Sequence, residues 1–470
     1  VTANFYYGSD YLDIETGIYQ TEGRIKWSNI AASILWNRPL GRIGEMTHTF
    51  YITRYKNRLS ISQNQFTAWL PSEITDYGYK NIFSFREEKF LGTYGLEYVY
   101  HHMYPQIVET QGAYTIHTDP DSRLYRIHEG ALFINGKYFF SPRLSAEAGL
   151  RYSGTAQFGK FNYHTYRQGE IIDTQTYGKG ELIKFYGGFE PRIALYFLPG
   201  SNQRISLSYN LTRQYIGQVS SSSIGFPTDF WMPASRNIPP QRAHSFSAGY
   251  SIALDQDNYE FSSELYYKRL HNDMISQQYI IEDKIYIGGG YNYGMELMLR
   301  KNRGRLTGWI GYALGWAYRH TAQINDGKPY PAKQDRRHDL SIVANYRINR
   351  RWDCSAVFVY ATGNALTMPE SMYLVGENAV CEYGPHNGGR MPAYHRLDLS
   401  ANYWISKKKN TEQVINISLY NAYNRNNPAY LAVDIIQDKD KNGKKDQLII
   451  RKRGKSIYGI IPSISYSFKF

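Results

Sequence analysis

Apolar and polar residues alternate with a period of two along most of the chain. Near residue 205 the apolar set is Ile205, Leu207, Tyr209 and Leu211, and the polar set between them is Arg204, Ser206, Ser208 and Asn210. The same alternation recurs at 144–153, 396–403 and 463–470. Successive side chains of a β-strand point to opposite faces, whereas a helix would distribute both sets around its axis. The pattern therefore predicts strands with one apolar and one polar face.

The alternating segments predict about eighteen strands, the first of them short. They are 1–7, 23–38, 45–57, 79–87, 91–104, 129–139, 143–155, 183–198, 203–215, 241–254, 259–271, 289–300, 305–320, 335–348, 352–363, 390–405, 412–432 and 450–470. Most are longer than the ~5–6 residues usual in soluble proteins. They reach the ~9–11 residues that a tilted strand needs to cross a bilayer.

The connections between these segments alternate in length. Short turns fall near 39–44, 88–90, 140–142, 199–202, 255–258, 301–304, 349–351 and 406–411. Long connections fall at 8–22, 58–78, 105–128, 156–182, 216–240, 272–288, 321–334, 364–389 and 433–449. Outer-membrane barrels keep short turns on the periplasmic side and long loops outside. We therefore predict an all-β fold, a transmembrane antiparallel β-barrel of the Gram-negative outer membrane that occupies residues 1–470 as one domain, with long loops external.

The composition agrees with a barrel and excludes a helical membrane protein. The chain contains 45 Tyr, 21 Phe and 8 Trp, while hydrophobic residues make up only 42% and the mean hydropathy is −0.53. No apolar run is long enough for a transmembrane helix. Aromatic residues stand where strands enter turns, as at Phe140 and Trp352, which is typical of the aromatic belts at the two membrane interfaces.

Charge and motifs exclude other classes of function. The formal net charge is +13, but the basic residues are dispersed in short clusters at turns, so we expect no nucleic-acid partner. Cys354 and Cys381 lie at opposite strand ends, too far apart for a disulfide. The sequence has no phosphate-binding loop, nucleophile elbow or His-Glu-x-x-His motif, so we expect no enzymatic activity.

An ordered series of segments resembles one family. The closing strand 460–470, with its terminal aromatic residue, and the preceding strand 415–428 resemble those of TonB-dependent outer-membrane receptors. Further resembling segments are 227–231, 238–240, 290–297, 305–312, 335–339 and 362–367. The resemblance implies a plugged barrel of about 22 strands, so that this chain is the C-terminal barrel portion and the plug and first strands are expected upstream of Val1.

The same resemblance implies active uptake of a scarce ligand, such as a siderophore, haem, a vitamin, a peptide or a glycan. Energy would come from the TonB complex through the plug domain. Outer-membrane lipid is a further expected partner, and a surface lipoprotein is conceivable, as in glycan importers. The alternative is a passive porin-like channel of about 18 strands, whose lumen would admit water. An enzyme or adhesin on a barrel scaffold would need a catalytic cluster or a dominant loop domain, which the sequence does not show.

One predicted external loop, 220–241, offers residues for ligand binding. Aromatic side chains and a cation on a proline-stiffened loop favour a ligand platform formed by Asp229, Phe230, Trp231 and Arg236. The alternative is that these residues fold the loop inward and pack it on its neighbours.

A second loop has the oxygen spacing of a calcium site. Asp438, Asp440, Asn442 and Asp446 stand at relative positions 1, 3, 5 and 9, with a glycine at position 6. Position 12 is Ile449 rather than an acidic ligand, so a solvated hairpin tip is the alternative. We expect no required cofactor, and calcium here would be a structural ion.

A metal or haem site is also conceivable around 101–128. His101, His102, His117, His128 and the acids Asp119 and Asp121 lie in or beside one loop. Exposed loop histidines without a ligand are the simpler interpretation. The charged residues of the polar register are expected to line the lumen; they are Glu147, Arg151, Glu260, Glu264, Arg396 and Asp398.

Overall fold

The computed structural model describes most of the chain. The described ranges are 1–16, 21–41, 43–63, 66–105, 109–111, 120–167, 170–219, 230–276, 285–375, 378–408, 411–439, 446–456 and 458–469. Within these ranges no helix has the length and apolar character that a membrane span requires.

In the described ranges, eighteen long strands form one antiparallel sheet in chain order. They are β1 (Thr2–Thr16), β2 (Thr21–Pro39), β3 (Glu45–Gln63), β4 (Phe66–Arg86), β5 (Phe90–Tyr104), β6 (Tyr125–Ser141), β7 (Leu144–Phe158), β8 (Leu182–Phe197), β9 (Gln203–Gln214), β10 (Gln241–Leu254), β11 (Tyr259–Ser276), β12 (Ile285–Lys301), β13 (Leu306–His320), β14 (His338–Arg347), β15 (Trp352–Ala361), β16 (Tyr394–Lys408), β17 (Thr411–Tyr420) and β18 (Ile461–Lys469). Each strand pairs with the next, and among the described residues β1 pairs only with β2 and β18 only with β17. The predicted all-β fold with about eighteen strands is confirmed.

Alternation assigns the two faces of this sheet. On β7, Leu144, Leu150 and Tyr152 are exposed, whereas Ser145 and Ser153 are buried on the opposite face. Residues directly opposite each other in an antiparallel pair share a face, so Leu150 continues the exposed apolar row of Ile134 on β6. The apolar face is therefore the outer, lipid-facing one, and the polar face lines the interior.

Aromatic pairs mark both ends of the apolar band. Trp352 packs against Tyr403 with ring centroids 4.9 Å apart, next to a short turn. At the loop end, Tyr293 stacks on Trp316 at 5.1 Å. These pairs agree with the predicted aromatic belts.

From β4 onward, short and long connections alternate as predicted. The short ones include 87–89, 142–143, 198–202 and 255–258. The long ones carry small elements of their own. These are the strands Glu109–Gln111, Phe161–Arg167, Glu170–Tyr177, Ile216–Val219, Phe230–Pro233, Tyr330–Pro331, Ala365–Leu366, Pro369–Val375, Asn378–Tyr383, Gly389–Arg390, Pro428–Lys439 and Asp446–Ser456, and the 3-10 turns Pro120–Ser122 and Asn325–Gly327.

Several predicted boundaries were wrong. The segments 8–22 and 58–78 are mostly strand, because β1 to β4 continue beyond the apolar band, where solvent on both faces removes the alternation. The predicted strands 412–432 and 450–470 each merged two elements. β17 ends at Tyr420, where Asn421 adopts a left-handed backbone with φ of 54°, and a separate hairpin of Pro428–Lys439 with Asp446–Ser456 follows.

Cys354 is a free cysteine near the short-turn end of β15. The side chain of Cys381 lies outside the described residues.

Candidate functional site

Charged side chains on the inner face of β5–β8 form a connected network. Glu97 on β5 lies 3.1 Å from Arg151 on β7. Arg151 also approaches Glu190 on β8, at 3.9 Å. Glu190 is buried and accepts a hydrogen bond of 3.3 Å from the backbone N–H of Arg213. Arg151 thus faces both acids, and Glu190 has an additional backbone N–H donor. The network can therefore fix the positions of β5, β7 and β8 relative to one another.

The inner face also carries a cavity of about 500 Å³ between β9 and β14. Its lining includes Glu264 and Glu296, which stand directly opposite each other on β11 and β12, and Asp339 on β14. Three carboxylates on one wall make this part of the interior acidic. The other predicted lumen charges have polar partners: Asn135 donates to Glu147, Asn302 to Glu260, and Arg396 pairs with Asp398 at 2.9 Å.

The long connections fold back and build a packed vestibule at their end of the wall. One apolar cluster joins inner-wall residues to the hairpin of Phe161–Arg167 with Glu170–Tyr177. Its buried members are Met103, Tyr125, Ile127, Phe161, Tyr163 and Tyr177. A second cluster contains Val219, Phe230, Met232 and Ile238. Since both clusters bury loop side chains, these loops have a defined position above the lumen.

The residues of the predicted ligand loop differ in burial and in what they contact. Phe230 is only 2% exposed and packs in the second cluster, so in this conformation it supports the loop. Trp231, on the opposite face of the same short strand, is half-buried against the first cluster. Arg236 is exposed. Asp229 lies outside the described residues. Inward packing, the alternative interpretation, therefore applies to Phe230.

Arg236 is held in place by neighbouring loop residues. Its Nη1 donates to Gln175 Oε1 and, at 3.1 Å, to the hydroxyl of Tyr177. Its guanidinium carbon lies 5.9 Å from the centre of the Tyr163 ring, and the hydroxyl of Tyr186 donates to the carbonyl of Ser235 beside it. An exposed cation flanked by tyrosines can bind an anionic or aromatic group without first becoming ordered.

Among the described residues, the conceivable metal or haem site at 101–128 is not assembled. His101 points inward, where Nδ1 lies 2.8 Å from Asp76 and Nε2 lies 3.6 Å from Glu129. His128 lies on the outer face, where Nδ1 meets the hydroxyl of Tyr98 at 2.6 Å, and His102 shares that face. His117 and Asp119 lie outside the described residues, and Asp121 pairs with Lys160 at 2.6 Å. In the described part of the chain no group of three or more His, Cys, Asp or Glu residues is placed to hold a metal ion.

The calcium prediction falls largely outside the described residues. Asp440 and Asn442 belong to 440–445, and nothing is described of the side chains of Asp438 and Asp446. The backbone around them is a hairpin in which Lys439 stands opposite Asp446. The calcium site stays a prediction.

A buried carboxylate organises another loop and was not predicted as a site residue. Asp335 is 1% exposed. Its Oδ1 accepts a hydrogen bond of 2.7 Å from the backbone N–H of Ala317, and its Oδ2 accepts one from Arg390. Arg337 lies 3.6 Å away. The motif 335–339 was recognised in the sequence, but the distance of Arg390 along the chain concealed the pairing.

Next to Asp335, His386 connects two parts of the same vestibule wall. Its backbone N–H and C=O bond to the side chain of Asn325 at 2.9 and 3.0 Å. Its ring meets Tyr330 edge-on at 5.0 Å. Burial lowers the pKa of His386, and burial, with Asp273 nearby, raises the pKa of Tyr330 to about 12. Both rings are therefore neutral near pH 7.

Comparison with known proteins adds to this geometry. The family model described as TonB dependent receptor-like, beta-barrel matches residues 2–424. No curated protein sequence matches the chain. Among solved structures, the FrpB iron transporter from Neisseria meningitidis (F3-3 variant) is similar with a TM-score of 0.61 and 12% identity, over 99% of this chain and 68% of that one.

Two further solved structures have the same fold. The ferric yersiniabactin uptake receptor FyuA from Yersinia pestis has a TM-score of 0.62 and 10% identity, over 97% of this chain and 63% of that one. The ferric-catecholate import receptor Fiu from K12 E. coli, in its closed form, has a TM-score of 0.57 and 11% identity, over 97% and 65%. The chain thus spans about two thirds of the length of each. At such identities the likeness establishes the fold alone.

Proposed function

The chain belongs to the β-barrel family of TonB-dependent receptors, and from this we propose that it forms the wall and ligand vestibule of an active importer in the outer membrane of a Gram-negative bacterium. The observation that carries the proposal is the packed vestibule. Loops that only framed a diffusion channel would not need two buried apolar clusters and a buried carboxylate to hold them above the lumen. The long loops then face the outside of the cell, where the ligand is scarce.

The part of the vestibule best suited to a ligand is the surface around Arg236. The exposed guanidinium and the tyrosines beside it fit a ligand that carries anionic and aromatic groups. Trp231 stands at the edge of this surface, and Asp229 precedes it in the sequence. We propose that Trp231 and Arg236 contact the ligand, with Phe230 fixing the loop from below.

In the family, the TonB complex supplies the energy for uptake through a plug domain inside the barrel, and we propose the same route here. The charged inner wall described above supports this role, because polar surface is available to a folded domain in the lumen. A surface lipoprotein could cap the vestibule. Calcium at the tip that contains Asp440 is a structural proposal independent of transport.

Single-channel conductance tests the proposal. We expect residues 1–470, refolded into a planar bilayer, to give a large steady conductance, because no separate domain fills the lumen in the described part of the chain. The full-length protein should be nearly silent until its plug is displaced, and should bind or import its ligand only in cells with an intact TonB complex.

Equal open conductance from both proteins would contradict active import and favour the porin alternative. A matched variant, Arg236→Gln, should leave both conductances unchanged, because Arg236 lies in the vestibule above the barrel. A change of conductance in this variant would mean that the loop, rather than a plug, obstructs the pore.

A further inference from the structure

A group of basic side chains lies on the outer face of the wall at the loop end of β10–β13. The group consists of Arg242, His244, Arg269, His271 and His320, and is called the basic patch below. Two residues further into the membrane, the same face carries the exposed rings of Phe246, Tyr267 and Tyr293. Since residues two apart on a strand share a face, the basic patch points outward.

Strand register brings the basic patch together. Arg242 stands opposite His271, His271 opposite Gly289, and Gly289 opposite His320, so these positions form one row across four strands. His244 and His271 meet edge-on with ring centroids 5.7 Å apart.

Gly289 leaves the space that the row needs. A Cβ at this position would lie only 2.8 Å from Cε1 of His320, so the imidazole extends over the glycine toward His271. A side chain at residue 289 would divide the patch in two.

The patch lies at the height of lipid headgroups. The aromatic pair Tyr293 and Trp316 belongs to the belt immediately below it. Aromatic belts occupy the membrane interface, and cations just beyond them meet the phosphate layer.

Among the described residues, the two arginines of the patch have no acidic partner. Within the described part of the chain, neither Arg242 nor Arg269 makes an ion pair or a side-chain hydrogen bond. The acid nearest in sequence, Asp273, is engaged by Arg319 and by Gln241.

Two other outward-facing cations of the wall have an acidic partner. On β3, Arg54 and Lys56 lie 2.6 and 3.0 Å from Glu73. The surface around Glu73 therefore combines two cations with one acid, whereas no acid is paired with the two arginines of the basic patch among the described residues.

From this arrangement we propose that the basic patch binds the anionic phosphate of a membrane lipid in the leaflet at the loop side of the barrel. Planar guanidinium groups match two phosphate oxygens at once. The row is wide enough to contact a headgroup from several strands, while the aromatic belt below receives the acyl chains. The occupant is a lipid rather than a protein, because the patch continues directly from the lipid-facing band.

Lipid titration of the full-length protein tests this proposal. Detergent-solubilised protein is titrated with phosphatidic acid, and with phosphatidylcholine as the zwitterionic reference, and bound lipid is counted by native mass spectrometry. We expect the double variant Arg242→Gln, Arg269→Gln to bind phosphatidic acid about 30-fold more weakly, since each arginine near a charged membrane surface contributes about fivefold. Phosphatidylcholine binding should not change.

The matched control is Arg54→Gln with Lys56→Gln, two outward-facing cations that already have Glu73 as partner. It should retain the parent affinity. Equal affinity in the parent and the patch variant, or an equal loss in the control, would overturn the proposal. If inorganic phosphate bound as tightly as phosphatidic acid, the patch would be a general anion site and the lipid assignment would be wrong. Circular dichroism of each variant verifies the β-barrel fold.

Discussion

Asp335 is the residue whose loss should most affect the vestibule. It is almost fully buried, and Arg390 and Arg337 depend on its charge. Asp335 is buried, but the side chains of Arg390 and Arg337 are 36% and 23% exposed, so loss of the carboxylate charge should cost about 1.5–3 kcal/mol, the range for hydrogen bonds to charged groups. We expect Asp335→Asn to release Arg390, and trypsin to cleave after Arg390 much faster than in the parent protein.

The control for this experiment is Asp326→Asn, on an exposed turn of the same connection. Asparagine tolerates the left-handed backbone of Asp326, so cleavage should be unchanged. Equal cleavage of the Asp335 variant and the parent would show that Arg390 is held by its other contacts.

His386 should make the same region sensitive to acid. Burial lowers its pKa from the usual 6.5, so below that pH the unfolded loop takes up more protons than the folded one. The folding free energy that this packing contributes is complete above pH 6.5. It decreases as the pH falls below 6.5, the usual pKa of histidine. Hydrogen-exchange protection of 385–390, corrected for the intrinsic exchange rate, should decrease between about pH 7.5 and about pH 5.5.

The variant His386→Gln cannot take up a proton in this range. Protection in this variant should be independent of pH, even if it is lower overall. A decrease as large as that of the parent would assign the acid sensitivity to another group.

Residue-level prediction succeeded where the signal was local. The inward direction of Glu147 and Arg151 follows from alternation alone, and both lie on the inner wall. The burial of Phe230 and the pairing of Asp335 with Arg390 depend on contacts between distant segments. A single sequence does not contain that information, because many loop conformations satisfy the same local pattern.

At the scale of elements, alternation located the wall strands but not their ends. It depends on one face meeting lipid and the other the polar interior, so it disappears where β3 and β4 rise above the membrane. The loop hairpins were missed for the same reason. The turns were found because Asp, Asn and Gly at 255–258 and 302–304 favour tight reversals.

Sidedness of the turns can be measured by cysteine labelling. In a background with Cys354→Ala and Cys381→Ala, a membrane-impermeant maleimide on intact cells should label Lys328→Cys, in a long connection. It should label Ser201→Cys, in a short turn, only after the outer membrane is permeabilised, because short turns face the periplasm. Labelling of both positions on intact cells would contradict the proposed orientation.

At the scale of the whole molecule, the order of the strands was predictable because each pairs with its sequence neighbour. Such a sheet forms by pairing each strand with the next one along the chain, seventeen pairings in the described part of the chain. The alternation of apolar and polar residues did not predict which charged side chains meet in the interior. The acidic cavity between β9 and β14 arises because Glu264, Glu296 and Asp339 from three separate strands meet at one level.

The arm formed by β3 and β4 has a consequence for what the cell presents to its surroundings. The 19 residues of β3 pair without interruption from Glu45 to Gln63, which at about 3.3 Å per residue gives about 60 Å of ribbon. Tilted by about 40°, it rises about 45 Å, and the hydrocarbon layer accounts for about 30 Å. An antibody or a phage tail that descends on the loop side therefore meets the tip of this ribbon well before it meets lipid. Immune and viral pressure would therefore act on that tip.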